Sequence, residues 1–485
     1  MAFSSGLFLV YFLPAFLIPL FLLDKRYKNY WILLCSLLFY AWGAPQFVFI
    51  LLGSVIFDFY LLRWMAKKNA EVRQVLFWLS LLLNLGLLLY FKYMNFFVEQ
   101  FDMLFSHFGA NPAPWVKIAI PLGISFITFQ KLAYTFDVYK RQFAPFERLE
   151  QYAMYILMFP QLLSGPIVRP AQIASQIDER SGNETLDDRL TGFYRFALGL
   201  AKKVLIADVL GEQVNAIFAM NSAQLSSVVA WIGAIAYTFQ IYFDFSGYTD
   251  MALGIARMMG FRLPENFNSP YVSRSITEFW KRWHMTLGNW FRDYVFLPLA
   301  YSTSRKLPKE RYFGIRADKV IYLIATSVTF VLCGFWHGAA WTFILWGVYQ
   351  GIFLIFDRLF LLKYFKKAGR PVSVIVTFFI TVFGWVLFRS ESLDSFNFYI
   401  RRMFAFRGGD NELWLNPKFW TVLVIAVLFS FIGYIKKIEE WQGRLYDKPG
   451  NGIIVAFSVL GLLLFVLSLA AVTSTGFSPF IYFRF

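Results

Sequence analysis

Long apolar runs, each interrupted by a short polar or Gly/Pro-containing stretch, recur along nearly the whole of this 485-residue chain. Crossing a hydrocarbon core about 30 Å thick takes roughly 20 helical residues. By that measure the pattern predicts helices near residues 5–23, 29–43, 45–62, 75–91, 118–136, 152–168, 193–210, 226–245, 320–336, 341–362, 372–388, 418–435 and 452–473. Several of these are short or interrupted, so about eleven true crossings are expected. Gly and Pro break the pattern near Pro121–Gly123 and Pro160–Pro166, which predicts re-entrant or half-helices whose freed backbone groups are satisfied by protein or a cavity. The first run has basic residues only on its far side and no small-residue cleavage site, and reads as a retained helix. Residues 260–319 hold no clean membrane-length apolar window. The stretch from Ile276 to His284 alternates aromatics and cations there, as expected of helices lying at headgroup depth. The expected architecture is all-α and polytopic, one membrane-embedded domain over residues 1–485 with no separate soluble part.

Composition supports this reading. A chain that is 58% hydrophobic, 21% aromatic and 16% charged has too little polar surface to coat a water-soluble globule of its size. The net charge of +16 raises the question of nucleic acid, but the Lys and Arg residues lie in short loops between apolar runs, with no contiguous basic face; the charge sets membrane orientation instead. The loops Lys25–Lys28, Arg63–Arg73, Lys363–Arg370 and Lys436–Lys448 are assigned to the cytoplasm. The N-terminus and the C-terminal tail then fall outside it. The loop 389–416 pulls the other way with Arg401, Arg402 and Arg407, offset in part by Glu391, Asp394, Asp410 and Glu412. Two cysteines, Cys35 and Cys333, lie in apolar runs without a CxxC pair and read as packing residues, and no metal site is expected.

Three histidines are the natural candidates for chemistry. His107, among polar loop residues, reads as an exposed loop side chain. His337 lies between two apolar runs in Cys333-Gly-Phe-Trp-His-Gly-Ala-Ala-Trp341. An ionisable group at that depth is costly and usually faces a cavity or polar partner. The small residues around it suggest room for a backbone break and an approaching substrate. Imidazole can take a proton from a hydroxyl; the competing reading is a core histidine bonded to a carbonyl. His284 stands in a charged stretch with Glu278, Lys281, Arg282, Arg292 and Asp293. That density of charge needs water, a headgroup or a charged ligand, so it is either an interfacial ion-pair cluster or a binding vestibule.

Several runs resemble the membrane-bound O-acyltransferase family: Tyr242-Phe-Asp-Phe-Ser-Gly-Tyr-Thr-Asp-Met-Ala252, Pro264-Glu-Asn-Phe267 with Pro270-Tyr271, Glu278-Phe-Trp-Lys-Arg-Trp-His284, Trp290-Phe-Arg-Asp-Tyr294 and Phe335-Trp-His-Gly338. Pro160-Gln161 with Gly165-Pro-Ile167, and Gly384-Trp-Val-Leu-Phe-Arg389, extend the resemblance over nearly the whole chain. Length and the opening Phe3-Ser4-Ser5 are most similar to the bacterial branch that serves O-acetylation of exported polysaccharide such as alginate. The resemblance implies re-entrant and interfacial helices around a central tunnel, with His337 as the catalytic histidine and His284 as a second functional histidine. It also implies an acyl thioester donor, acetyl-CoA, with no bound cofactor. No Gly-rich phosphate cradle is legible, though Lys281, Arg282, Arg292, Arg305 and Lys306 suit a polyanionic donor. Asn289, Asp293 and Trp336 complete the substrate-binding set.

The tail Gly476–Phe485 ends on an aromatic run, Phe480, Tyr482, Phe483 and Phe485. Interfacial anchoring is one reading. The other is a resemblance to the C-terminal tyrosine motif of bacterial acyl-export systems, in which Tyr482 would accept the acyl group and hand it to an extracytoplasmic serine acyltransferase. Partners expected on these grounds are the acyl-CoA donor, that transferase, an exported polysaccharide acceptor and membrane lipid, in the bacterial inner membrane. The rival readings are a D-alanyl transferase for teichoic acid, disfavoured by the greater length here, and a transporter or flippase, which broken helices would also suit.

Overall fold

In a computed structural model, residues 2–109, 115–312, 314–406, 408, 416–438, 440, 450–475 and 479–481 are described. They are helical apart from connecting loops and one antiparallel pairing, Arg311–Tyr312 with Ile315–Arg316. Eight helices among them are long and apolar enough to cross a membrane: Pro45–Ala66, Ala70–Ser106, Ser227–Met258, Ala317–His337, Trp341–Ala368, Arg370–Arg389, Pro417–Tyr434 and Asn451–Ser474. A shorter apolar helix covers Phe8–Leu22. The chain is therefore a multi-pass membrane protein, with eight such helices where about eleven crossings were expected. Burial separates their roles: the core window of Ser227–Met258 is 72% buried, that of Asn451–Ser474 only 22%. The first is a central helix. The second presents Val455, Val459, Leu463 and Val466 outward, as a lipid-facing helix does.

The chain divides into two compact units, residues 1–192 with 252–264, and 193–251 with 265–485. In the first, the breaks expected from Gly and Pro are present. The helix Ile124–Tyr139 starts only after Gly123, whose φ of 73° is left-handed and whose missing Cβ would lie 2.6 Å from the Leu162 carbonyl oxygen. The helix Leu149–Leu157 stops at Met158, and a single turn, Phe159–Leu162, follows. Both expected spans, 118–136 and 152–168, are thus half-helices. Gly123 and Leu162 bring the two breaks into contact.

The same unit buries charge that periodicity does not reveal. Lys131 pairs with Asp58 at 2.8 Å with both side chains almost fully buried, and Asn84 Nδ2 donates to Asp58 at 3.0 Å. An ion pair so deep persists only when its remaining atoms are also bonded; Lys131 meets that condition through the Ser54 carbonyl. Among the described residues of the two units, five helices contain a π-turn: Phe8–Phe12 and Leu89–Tyr93 in the first, and Lys202–Ala207, Arg292–Phe296 and Asp357–Leu361 in the second. Three of these turns hold a buried charge, Lys92, Lys203 and Asp357, where the widened backbone locally departs from the regular ladder.

In the second unit, Ala317–His337 and Trp341–Phe356 form a tight hairpin. A Cβ on Gly334 would lie 2.3 Å from the Phe343 oxygen, and one on Gly347 would lie 2.2 Å from the Phe330 oxygen. The backbone break expected from the small residues near His337 is present, since one helix ends at His337 and the next begins at Trp341, but the room for a substrate expected beside Gly334 and Gly338 is corrected. Gly334 faces Gly347 so that two backbones touch, and the space beside Gly338 is filled by the Phe343 ring. The stretch 260–319 lacks a span, as expected, but its aromatics do not all face headgroups. Trp283, 1% exposed, stacks on Phe279 at 5.6 Å and lies 4.8 Å from Trp385. His107 ends the helix Met94–Ser106 and is exposed; Cys35 and Cys333 are buried.

Candidate active site

His337 is the last residue of its helix and is 4% exposed. Aromatic rings wall it: Trp336 at 4.8 Å, Trp346 at 4.9 Å and Phe388 at 5.3 Å, all edge-on. Two of these come from neighbouring helices, Trp341–Phe356 and Arg370–Arg389. The hairpin's glycine contact and the Gly384-Trp-Val-Leu-Phe388 run therefore set where the imidazole sits.

His284 is fully buried and begins the helix Met285–Phe291 with a left-handed φ of 42°. Non-glycine residues take that conformation at a cost, so the surroundings must hold it. Asn266 does much of this: its Oδ1 lies 3.0 Å from His284 Nδ1 and accepts from the Thr286 amide at 3.1 Å and the Thr286 hydroxyl at 2.9 Å. A backbone N–H can only donate, which fixes that atom of Asn266 as oxygen. His284 Nδ1 must then carry the proton, and Nε2 presents a lone pair. Among the described residues Nε2 has no hydrogen-bond partner. Burial pushes the His284 imidazole down from 6.5 to about 3, so it is a neutral base at any physiological pH.

That shift predicts a pH effect on stability. The folded value lies below the ordinary one, so in the window between them the unfolded chain binds a proton that folded His284 refuses. The stabilisation is complete above 6.5 and is lost as pH falls toward 3. Lowering pH from about 7 to about 5 should reduce unfolding free energy by about 2 kcal/mol through this group. Melting curves at the two pH values, with His284→Gln flattening the difference, check this; an equal acid loss in the variant would assign it elsewhere.

Trp336 joins the two histidines. Its ring lies 6.2 Å from His284 and 4.8 Å from His337, and it is itself buried. The structure thus gathers His284, His337 and Trp336. It does not draw the basic candidates into the same buried cluster. Lys281, Asn289 and Arg292 are exposed, and Arg282 and Asp293 half-buried. Arg292 pairs with Asp293 at 2.8 Å, while Arg282 pairs with Glu278 at 3.2 Å and donates to the Asn268 carbonyl. Tyr482 lies outside the described residues. Sequence reasoning quoted Asn266 within a motif but gave it no role. Asp244 and Lys203, which form a buried pair at 2.7 Å, it did not single out as a contact.

A multi-pass helical protein with two buried, aromatic-walled histidines fits a membrane enzyme that moves a proton from a hydroxyl. A family model, membrane-bound O-acyltransferase, matches residues 125–388. The chain belongs to that family and is an acyltransferase. It is 36% identical to a probable alginate O-acetylase of Pseudomonas putida across the full length of both chains. It is 34% identical to a peptidoglycan O-acetyltransferase of Helicobacter pylori, over 81% of this chain and 78% of that one. A teichoic acid D-alanyltransferase of Bacillus subtilis matches at 32% over 61% of this chain and 75% of its own.

Proposed function

We propose that the protein takes an acetyl group from cytoplasmic acetyl-CoA and passes it across the bacterial inner membrane for O-acetylation of an exported, alginate-like polysaccharide. The observation that carries this is the buried His337–Trp336–His284 cluster, which suits proton removal from a hydroxyl away from water. In the reaction, His337 takes the proton as the hydroxyl oxygen forms a bond to the thioester carbonyl. The carbon–sulfur bond then breaks, and the CoA sulfur leaves with that proton. His284 positions or assists through its Nε2 lone pair. A tunnel through the protein would lead donor to His337, and Trp336 and Asn289 would line the bound substrate. Lys281, Arg282 and Arg292 would meet the donor phosphates; for Arg282 and Arg292 this means exchanging Glu278 and Asp293 for phosphate. The match over residues 125–388 spans sequence of both compact units, which supports reading 1–485 as one catalytic domain. Full-length similarity to an alginate O-acetylase, against 61% coverage by the D-alanyltransferase, favours acetyl over D-alanyl. The test is purified protein in vesicles given labelled acetyl-CoA: thioester consumption dependent on His337 is expected. No consumption, with turnover of a D-alanyl carrier thioester instead, would reverse the choice.

Positive-inside counting places the C-terminal tail outside the cytoplasm, which supports a relay in which Tyr482 takes the acetyl group. A phenolic ester is a better leaving group than an alkyl ester, so a separate extracytoplasmic serine acyltransferase could complete delivery to the polysaccharide. Tyr482→Phe keeps the ring and removes only the oxygen. Polysaccharide acetylation should fall about a hundredfold or more in that variant at normal membrane insertion. Full acetylation would leave the tail as an interfacial anchor.

A further inference from the structure

The most unusual contact in the second unit lies at the far end of the chain. Asp244, on the central helix Ser227–Met258, is 2% exposed, and its two oxygens have different partners. Oδ1 lies 2.7 Å from the Lys203 ammonium, and Oδ2 accepts from the backbone N–H of Ile481 at 2.8 Å. Lys203, 3% exposed, is shared with Asp208 at 2.6 Å. One buried cation thus faces two carboxylates, and the tail amide supplies a further donor to Asp244. The packing that brings Lys203 there is close: a Cβ on Gly199 would lie 2.5 Å from the Gly247 oxygen, and one on Gly247 3.1 Å from the Lys203 backbone nitrogen. One turn along from Asp244, Tyr248 stacks on Phe480 at 4.7 Å and 21°. Phe480 also lies 5.7 Å from Phe245, and Phe245 meets the His284 ring edge-on at 4.7 Å. Phe480 and Ile481 are 3% and 6% exposed.

A lipid anchor would spread its aromatics at the surface. Here a buried carboxylate takes the backbone of the tail, and a ring of the tail fills the core one aromatic away from His284. We propose that Asp244, braced by Lys203, is a positioning residue that latches the C-terminal tail beside His284. Tyr482 follows Ile481 directly in the sequence, so the latch would fix where the next side chain departs. The latch itself involves residues 203, 244, 248, 480 and 481. Its effect on transfer rests on the relay reading above, and the two parts fail separately.

The latch is tested by carboxypeptidase digestion of the full-length protein in vesicles, followed by mass spectrometry. Trimming of wild type should halt before Ile481. Asp244→Ala and, from the tail side, Phe480→Ala, which removes the ring stacked on Tyr248 and leaves the Asp244–Lys203 pair in place, should each speed passage beyond Ile481 about tenfold or more, the equilibrium shift expected for one lost charge-assisted hydrogen bond or one lost buried ring. Asp244→Asn keeps one acceptor but turns an NH2 toward either the Lys203 ammonium or the Ile481 N–H, and should trim at a rate between wild type and Asp244→Ala. Asp250 supplies the control, because it pairs with Arg195 and Lys202 on the same helix. If Asp250→Asn frees the tail equally, or if neither latch variant frees it, the proposal is overturned. In acyl transfer, tail release should lower turnover about tenfold with donor KM unchanged, since the donor is held elsewhere. A released tail with full turnover overturns the positioning role, and the relay falls with it only if Tyr482→Phe also acetylates fully. Lost turnover with the tail still docked overturns the latch and leaves the relay standing.

Discussion

His337→Ala is expected to lower acyl transfer by about a hundredfold or more, the range that a positioned general base contributes, while the protein still inserts and purifies as a single species. The side chain sits at the end of a helix, 4% exposed, and its neighbours are ring edges. Truncation removes the proton acceptor and leaves the Trp346 and Phe388 wall, which is held by its own helices. His337→Gln, which keeps more of the volume, separates chemistry from packing: its turnover should be as low as that of alanine, with a melting temperature nearer wild type. Thioester release per mole of folded protein is the measurement. Near-normal turnover in either variant would falsify the assignment and return the role to His284.

A second large effect is expected from a single methyl group. Gly347→Ala places a Cβ 2.2 Å from the Phe330 oxygen and 2.9 Å from the Gly334 Cα, where carbon contacts prefer about 3.5–4 Å. Both obstacles are backbone, so the hairpin must open by roughly an ångström rather than yield a rotamer. Trp346, the neighbouring residue, walls His337, so the displacement reaches the imidazole directly. Turnover should fall about tenfold or more, with a lowered melting temperature, because misplacement near the reacting centre is costly. Gly86→Ala, which would meet nothing within 4 Å, is the matched control and should be close to neutral. Unchanged turnover in Gly347→Ala would mean that the glycine contact does not set the site.

Much of this was legible in the sequence, for physical reasons that differ by region. Half-helices at Pro121–Gly123 and Pro160–Pro166 could be read because Pro removes a donor and Gly permits a left-handed turn, both local properties. His337 stood out because an ionisable residue between apolar runs is rare. The number of crossings was less legible, since apolar run length does not say whether the chain breaks midway. The small residues beside His337 were misread because a glycine looks the same whether it admits a substrate or another helix; only Phe343 and Gly347, met across the hairpin, decide it. Asp58, Asn84 and Lys131 lie on three different helices, and nothing in any one of them announces the pair. The same holds for Asp244 and Ile481, 237 residues apart.

The π-turns place a constraint on how such a chain can change. Each inserts one extra residue into a helix, and an α-helix turns about 100° per residue. Removing one residue between Lys203 and Asp208 would restore the regular ladder and shorten their spacing from five residues to four, which an α-helix also keeps on one face. A one-residue deletion in a regular stretch turns everything beyond it by about 100°, whereas one inside a π-turn leaves the later side chains near their original faces. Length is therefore expected to be more freely changed at Lys202–Ala207, Leu89–Tyr93 and Asp357–Leu361 than elsewhere in the same helices, provided that the buried Lys203, Lys92 and Asp357 themselves are kept.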